Sequence, residues 1–289
     1  MSFLGVLKLG GGAGVEHAAA LANLAERIAS GERWILVHGA SDAANRLAAA
    51  HGVPVRTLTT PGGHTSRYTD AQTLDLFCEA AANVNTEMVE TLRVHGIDAV
   101  GLADAEIVRA ERKTAIRALV NGRQVIVRDD YTGAITNADA DALWTLLDGG
   151  QTPVVAPLAA GGERGRLNVD GDRAAAAIAR ALSADALVIL SNVPGLLRDV
   201  SDPASLVTSF ALSDLPRYES YAAGRMKKKL LAASEAQIAR VVLADSRIEY
   251  PLDAALNGGG TQIIQAMMMV GVRQVSPAQV GMVLAGAAD

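Results

Sequence analysis

A chain of 289 residues is long enough for one large domain or for two lobes that share a sheet. Half of its residues are hydrophobic, a fifth are charged and the formal net charge is −5, which fits a globular protein and argues against general nucleic-acid binding. Aromatics at 3% give few platforms for stacked bases, no apolar run can span a bilayer, and the single cysteine, Cys78, excludes an internal disulfide.

The N-terminus carries no basic start, apolar stretch and cleavage site of a signal peptide, so a cytoplasmic location is expected. Short β-branched runs then alternate with Ala/Leu-rich stretches. Strands are predicted at residues 6–9, 34–37, 99–102, 152–155, 186–190 and 240–244, and helices at 17–28, 42–50, 71–94, 172–182 and 226–238. Strands separated by helices predict an α/β fold: a three-layer α/β/α sandwich with a mostly parallel central sheet. Residues 107–137 break this rhythm. There, runs 115–120 and 124–127 flank Asn121-Gly122, the signature of a β-hairpin. Gly161-Gly162-Glu163-Arg164-Gly165 suits a flexible hinge between lobes.

Two glycine segments leave strand ends, Lys8-Leu9-Gly10-Gly11-Gly12 and Val37-His38-Gly39-Ala40-Ser41. Glycine at the carboxyl end of a parallel strand lets backbone N–H groups approach an anion, and the following helix N-terminus adds positive partial charge. Each loop alone is as well explained by close packing. Together, with a lysine at the mouth of one, they predict a phosphate cradle. No G-x-G-x-x-G, P-loop, HExxH or zinc-type spacing occurs. Gly39-Ala40-Ser41-Asp42-Ala43 nearly matches a nucleophile elbow, but the last histidine is His95, which leaves most of the chain without a triad member. Further on, Leu167-Asn168-Val169-Asp170-Gly171-Asp172 precedes an Ala-rich helix, where either aspartate would serve as an N-cap. Gly224-Arg225-Met226-Lys227-Lys228-Lys229-Leu230 sets cations at a helix start, against the dipole, so it is either a solvated basic face or a site that meets an anion.

These segments in this order, with Ser191-Asn192-Val193-Pro194-Gly195-Leu196 after the fifth strand, resemble the amino-acid kinase family over residues 4–263. The resemblance implies the carbamate-kinase-like fold, ATP with Mg²⁺ as cofactor, no metal ligand from the protein, and a homodimer. It implies an N-terminal lobe (1–165) for the acyl substrate, carrier docking and the dimer contact, an ATP lobe (166–263), and an extension (264–289) of unknown role. By motif, Lys8 and Lys229 resemble the lysines that neutralise the transferring phosphoryl group, and Asp172 the aspartate that holds them. Gly10, Gly11, Gly39 and Ala40 resemble the phosphate-binding loops, and Arg67 with Asn168 the pair on the substrate's α-carboxylate. Ser191, Asn192, Val193, Gly195 and Leu196 resemble the nucleotide segment.

Within the family, Ser66-Arg67-Tyr68-Thr69-Asp70, the Gly224–Lys229 run and Glu111-Arg112-Lys113-Thr114-Ala115 resemble the branch that phosphorylates 2-aminoadipate on a small acidic carrier protein of the LysW type. Arg112, Lys113, Arg117, Arg123 and Arg128 are then expected to form the carrier's docking surface. The resemblance implies lysine biosynthesis, with N-acetylglutamate or carrier-bound glutamate (arginine biosynthesis) as second substrates and a non-catalytic nucleotide sensor as a third reading. No membrane or nucleic-acid partner is expected. Ala40 departs from the family's second glycine, residues 101–106 depart from its usual loop, and a helix is predicted at 276–285, beyond the family pattern.

Overall fold

The computed structural model describes residues 2–120 and 123–265; the Asn121-Gly122 turn and the predicted helix at 276–285 lie outside them. The first half of the chain runs β1 (Leu4–Leu9), α1 (Ala18–Ala29), β2 (Arg33–His38), α2 (Ser41–Ala50), β3 (Thr57–Thr59), β4 (Thr65–Arg67), α3 (Ala71–Val94), β5 (Ala99–Leu102), β6 (Val108–Arg112), β7 (Ile116–Val120), β8 (Arg123–Val127), β9 (Gly133–Ala138) and α4 (Ala140–Asp148). The second half runs β10 (Thr152–Val155), β11 (Leu158–Ala160), β12 (Arg166–Asn168), α5 (Gly171–Ala181), β13 (Ala186–Ser191), β14 (Ser209–Ala211), α6 (Leu215–Tyr218), α7 (Arg225–Ala236), β15 (Arg240–Asp245), α8 (Pro251–Leu256) and β16 (Thr261–Ile264).

Eight strands form one sheet in the order β14-β16-β15-β13-β1-β2-β10-β5. The six from β15 to β5 are parallel, β16 is antiparallel to β15, and β14 is parallel to β16. Those six are the predicted strands. Their apolar runs are continuous because both faces of the sheet are covered. On β1, Leu4 and Val6 enter a core shared with α4, α5 and α7, while Leu7 and Leu9 enter one shared with α1, α3 and α8. Alternation puts Lys8 on the α5/α7 side, at the end of its strand. The alanine run of α5 suits its position: Ala174 to Ala177 are all buried, and their small side chains let α5 pack closely on both the sheet and α7.

A second sheet, β12-β11-β6-β9, and the ribbon β7-β8 occupy the region where the periodicity breaks. The ribbon pairs Ile116 with Val127 and Val120 with Arg123, as the hairpin signal predicts. Its inner face rests Ile116 and Ala118 on Leu58 and Tyr68. The expected hinge at 161–165 is instead the tight turn of an antiparallel hairpin. Ala160 pairs with Arg166, Gly161 N–H donates to the Gly165 carbonyl, and Gly161, Gly162 and Gly165 all hold positive φ. Glycine here meets a backbone requirement rather than a need for interlobe motion. A Cβ at Gly161 would stand 1.9 Å from the carbonyl oxygen of Ala110.

Candidate active site

Parallel strands direct their carboxyl ends to one edge of the sheet, and there β1, β2 and β13 open onto a cleft of about 670 Å³. The N-termini of α2, α5 and α7 reach the same cleft through Ser41, Gly171 and Arg225. Three positive helix ends facing one cavity make a site for anions.

At its floor, Lys8 Nζ stands 2.6 Å from Asp172 Oδ1, and Lys229 Nζ donates to Asp172 Oδ2 at 3.0 Å. All three residues are buried. Burial by itself would raise the Asp172 carboxyl pKa. The charges of Lys229 and Lys8 outweigh it and hold the group well below the usual carboxylate range. Burial pushes the Lys229 ammonium down, and Asp172 opposes that shift. The choice between the two aspartates of the Leu167–Asp172 segment is resolved: Asp170 is the N-cap, accepting from the N–H groups of Asp172 and Arg173, which leaves the Asp172 side chain for the lysines. Lys228 pairs with Asp170 at 3.2 Å, and Arg173 makes a two-pronged bridge to Glu235 that ties α5 to α7.

The two glycine loops touch backbone to backbone. A Cβ on Gly11 would lie 2.0 Å from the carbonyl carbon of Gly39, so no side chain fits. The N–H groups of Gly10 and Gly39, expected on phosphate, donate instead to the Leu190 and Leu9 carbonyls, extending the sheet by one bond on each strand. Among the described residues Gly11, Gly12 and Ala40 keep N–H groups with no backbone acceptor. Ala40 has φ −130°, so a methyl group is accommodated without strain, and it packs into the core beside Leu7 and Leu9. Under the second loop the buried His38 ring meets Asn85 Nδ2 at 3.1 Å, and burial pushes its pKa down to about 4.

Arg67 enters from β4, donating to the Ser41 carbonyl and to Asn45 Oδ1. Asn168 Nδ2 donates to Thr69 Oγ1, and its backbone bridges Thr132. Both residues line the cleft. At the other end, Ser191, Asn192, Val193, Gly195 and Leu196 form a wall continued by Val200 and Tyr221. Thr261 fastens that wall, accepting from Leu196 N–H at 2.9 Å and donating to the Val207 carbonyl at 2.7 Å. Gly195, at φ +150°, is required because a Cβ would meet Thr261 Oγ1 at 2.5 Å. Residues 101–106 are not among those that line the cleft.

The expected docking set divides. Arg112 is withdrawn from it: its guanidinium donates to the Asp130 and Arg128 carbonyls, pairs with Glu163 and stacks 4.1 Å from the Tyr131 ring. Lys113 lines the cleft, where burial, Arg173 and Lys228 lower its pKa. Arg117, Arg123 and Arg128 are exposed on or beside the ribbon. Arg225 belongs to a motif read from the sequence without a role of its own; its helical spacing of four from Lys229 was the available signal. Among the described residues no group of three or more His, Cys, Asp or Glu can hold a metal ion.

The amino acid kinase family profile matches residues 4–243. A LysW-aminoadipate kinase of Deinococcus radiodurans is 45% identical over 264 residues, covering 89% of this chain and 90% of the relative. Among solved structures, N-acetylglutamate synthase from Neisseria gonorrhoeae superposes with a TM-score of 0.74 at 24% identity, over 98% of this chain but 64% of that one. Carbamate kinase from Giardia lamblia superposes at 0.64 and 17% identity, over 92% of this chain and 99% of that one. The buried lysine–aspartate–lysine cluster, the paired glycine loops and the long sequence match agree: this chain belongs to the amino acid kinase family.

Proposed function

We propose that this protein is an ATP-dependent kinase that phosphorylates the distal carboxylate of L-2-aminoadipate held on a small acidic LysW-type carrier protein, in lysine biosynthesis. The observation that carries the reading is Asp172 binding both Lys8 and Lys229 on the floor of a cleft ringed by three helix N-termini. The sequence similarity to a LysW-aminoadipate kinase supports the acceptor.

A carboxylate with pKa near ~4.3 is ionised at pH 7 and needs no general base. Its oxygen attacks the γ-phosphorus, the bond to the β–γ bridging oxygen breaks, and ADP leaves with that oxygen's electron pair. The task of the protein is to align two anions and offset their charge. Lys8 and Lys229, oriented by Asp172, meet the phosphoryl oxygens, and Gly11, Gly12 and Ala40, whose N–H groups have no backbone acceptor, line the same cleft. Arg67 holds the acceptor's α-carboxylate, Asn168 completes that contact, and Ser191–Leu196 with Val200 and Tyr221 receives the nucleotide. Mg²⁺ arriving with the nucleotide would add to this neutralisation of charge.

The lobe assignment (1–165 for substrate, 166–263 for ATP), a cytoplasmic location and a homodimer belong to the same reading. The carrier docks on Arg117, Arg123 and Arg128, with Lys113 serving the cleft instead.

The test is ATP-dependent formation of hydroxamate, with hydroxylamine trapping the acyl phosphate. The acceptors are carrier-bound aminoadipate, carrier-bound glutamate and free N-acetylglutamate, run in parallel. Product from the aminoadipate carrier alone supports the proposal. Product from either glutamate acceptor moves the enzyme to arginine biosynthesis. Tight nucleotide binding with no product from any acceptor makes it a sensor.

A further inference from the structure

We propose that Arg225 is a third cation of the phosphoryl-transfer site, binding the terminal phosphate of the nucleotide alongside Lys8 and Lys229. This inference rests on the kinase reading above and adds to it a residue of this chain.

Arg225 is the first residue of α7, and Lys229 stands one turn later. Residues four apart share a helix face, and both side chains line the cleft. The Arg225 guanidinium lies against the first glycine loop. A Cβ built on Gly12 would be 2.3 Å from Nη1, so the fork sits on the turn whose N–H groups have no backbone acceptor. Among the described residues Arg225 makes no hydrogen bond and no ion pair. Other arginines of this region are engaged: Arg173 holds Glu235 with two bonds, and Arg67 reaches Ser41 and Asn45. A guanidinium carries five donors in a fixed plane that matches phosphate. Exposed at the mouth of the cleft beside Gly12, with those donors open to it, the guanidinium is placed to meet an anion that enters.

Charge balance points to the same occupant. Lys8, Lys229 and Asp172 together carry one net positive charge, and the Lys228–Asp170 pair adds none. Arg225 raises that charge to two, and Lys113, which also lines the cleft, adds to the positive excess, which suits an anionic terminal phosphoryl group. The first turn of α7 contains no acid and no side-chain cap, yet it holds Arg225, Lys227 and Lys228. That concentration of cations against the dipole is relieved by a bound anion. Arg225 also opposes the charge of Arg67, so the two guanidiniums repel across the cleft until anions enter between them. Contact with Gly12 favours the phosphate over the acceptor's carboxylate, because Gly12 belongs to the phosphate loop and Arg67 already serves the acceptor.

The experiment uses the full chain and its R225Q and R225K variants, each checked for an unchanged thermal midpoint. Binding of a non-hydrolysable ATP analogue with Mg²⁺ is compared with binding of ADP with Mg²⁺ by calorimetry, and turnover is read by hydroxamate trapping. R225Q should weaken the ATP analogue by about ten- to a hundredfold, the scale of a lost charge-assisted bond, and should change ADP binding by less than about twofold. R225K, which keeps the charge without the fork, should fall between R225Q and the native protein.

Equal weakening of ADP and the analogue would overturn the proposal. So would unchanged nucleotide binding with only the acceptor KM raised, which would assign Arg225 to the acceptor beside Arg67. Native protein that binds the analogue but phosphorylates none of the acceptors refutes the acceptor reading, while the analogue-against-ADP contrast still decides the role of Arg225. Native protein that binds neither nucleotide refutes the kinase reading and this proposal with it.

Discussion

Asp172 matters because it is one buried charge between two of opposite sign. On the proposed mechanism, replacing Lys8 or Lys229 by alanine removes one preorganised charge from the transition state, so turnover should fall about a hundredfold or more, measured as kcat with saturating ATP. Near-native turnover in both variants would show that the cluster is structural. Asp172→Asn acts differently. It leaves two buried ammonium groups facing each other without compensation, so the protein should lose about 3–5 kcal/mol of stability in urea unfolding as well as activity. His38 gives a pH signature. Its pKa is pushed down to about 4 in the fold by burial, against about 6.5 when unfolded, so the unfolded chain takes up a proton first as pH falls. The stability it contributes is complete above pH 6.5 and disappears as pH falls toward 4, by about 3 kcal/mol in total. Urea unfolding followed across that range should show the loss, and His38→Gln should flatten it. An equally steep loss in the variant would assign it to another group.

The two glycine loops were legible as elements because each combines a strand end, glycine and a helix start. Their donor pattern was not, since Gly10 and Gly39 bond across the sheet to residues remote in sequence. The hairpin at 116–127 was legible from its turn, whereas the roles of its cations were not. Charge and spacing cannot tell an exposed arginine from Arg112, which is held by carbonyls and by Tyr131. A mutational contrast follows. Arg112→Ala should destabilise the fold by about 1–3 kcal/mol, because the carbonyl of the buried Asp130 loses its partner and the Tyr131 ring loses the guanidinium stacked on it. Arg117→Glu and Arg128→Glu should leave the thermal midpoint within a few degrees and weaken carrier binding. If Arg112→Ala proves as stable as native and loses only carrier affinity, then its contacts with Asp130 and Arg128 contribute nothing and it belongs to the docking surface after all.

The parallel sheet was the most legible part of the molecule, because strands covered on both faces read as unbroken apolar runs. Short strands such as β11, β12 and β14 were not read, since three residues carry no period. The missing short strands explain why a glycine-rich hairpin turn at 161–165 looked like a hinge. Net charge sets the last problem. At −5 the molecule as a whole repels an acidic carrier, while the ribbon presents Arg117, Arg123 and Arg128 toward solvent. Which effect governs encounter depends on distance: near ~0.1 M salt the screening length is about 10 Å, so a docking carrier feels the ribbon more than the far surface. Raising the salt toward 1 M shortens that length to about 3 Å and should lower kcat/KM for the carrier substrate several-fold. Reversing the three arginines to glutamate should abolish this decline. A rate that rises with salt in the native protein would mean that whole-molecule repulsion prevails and that the carrier docks elsewhere.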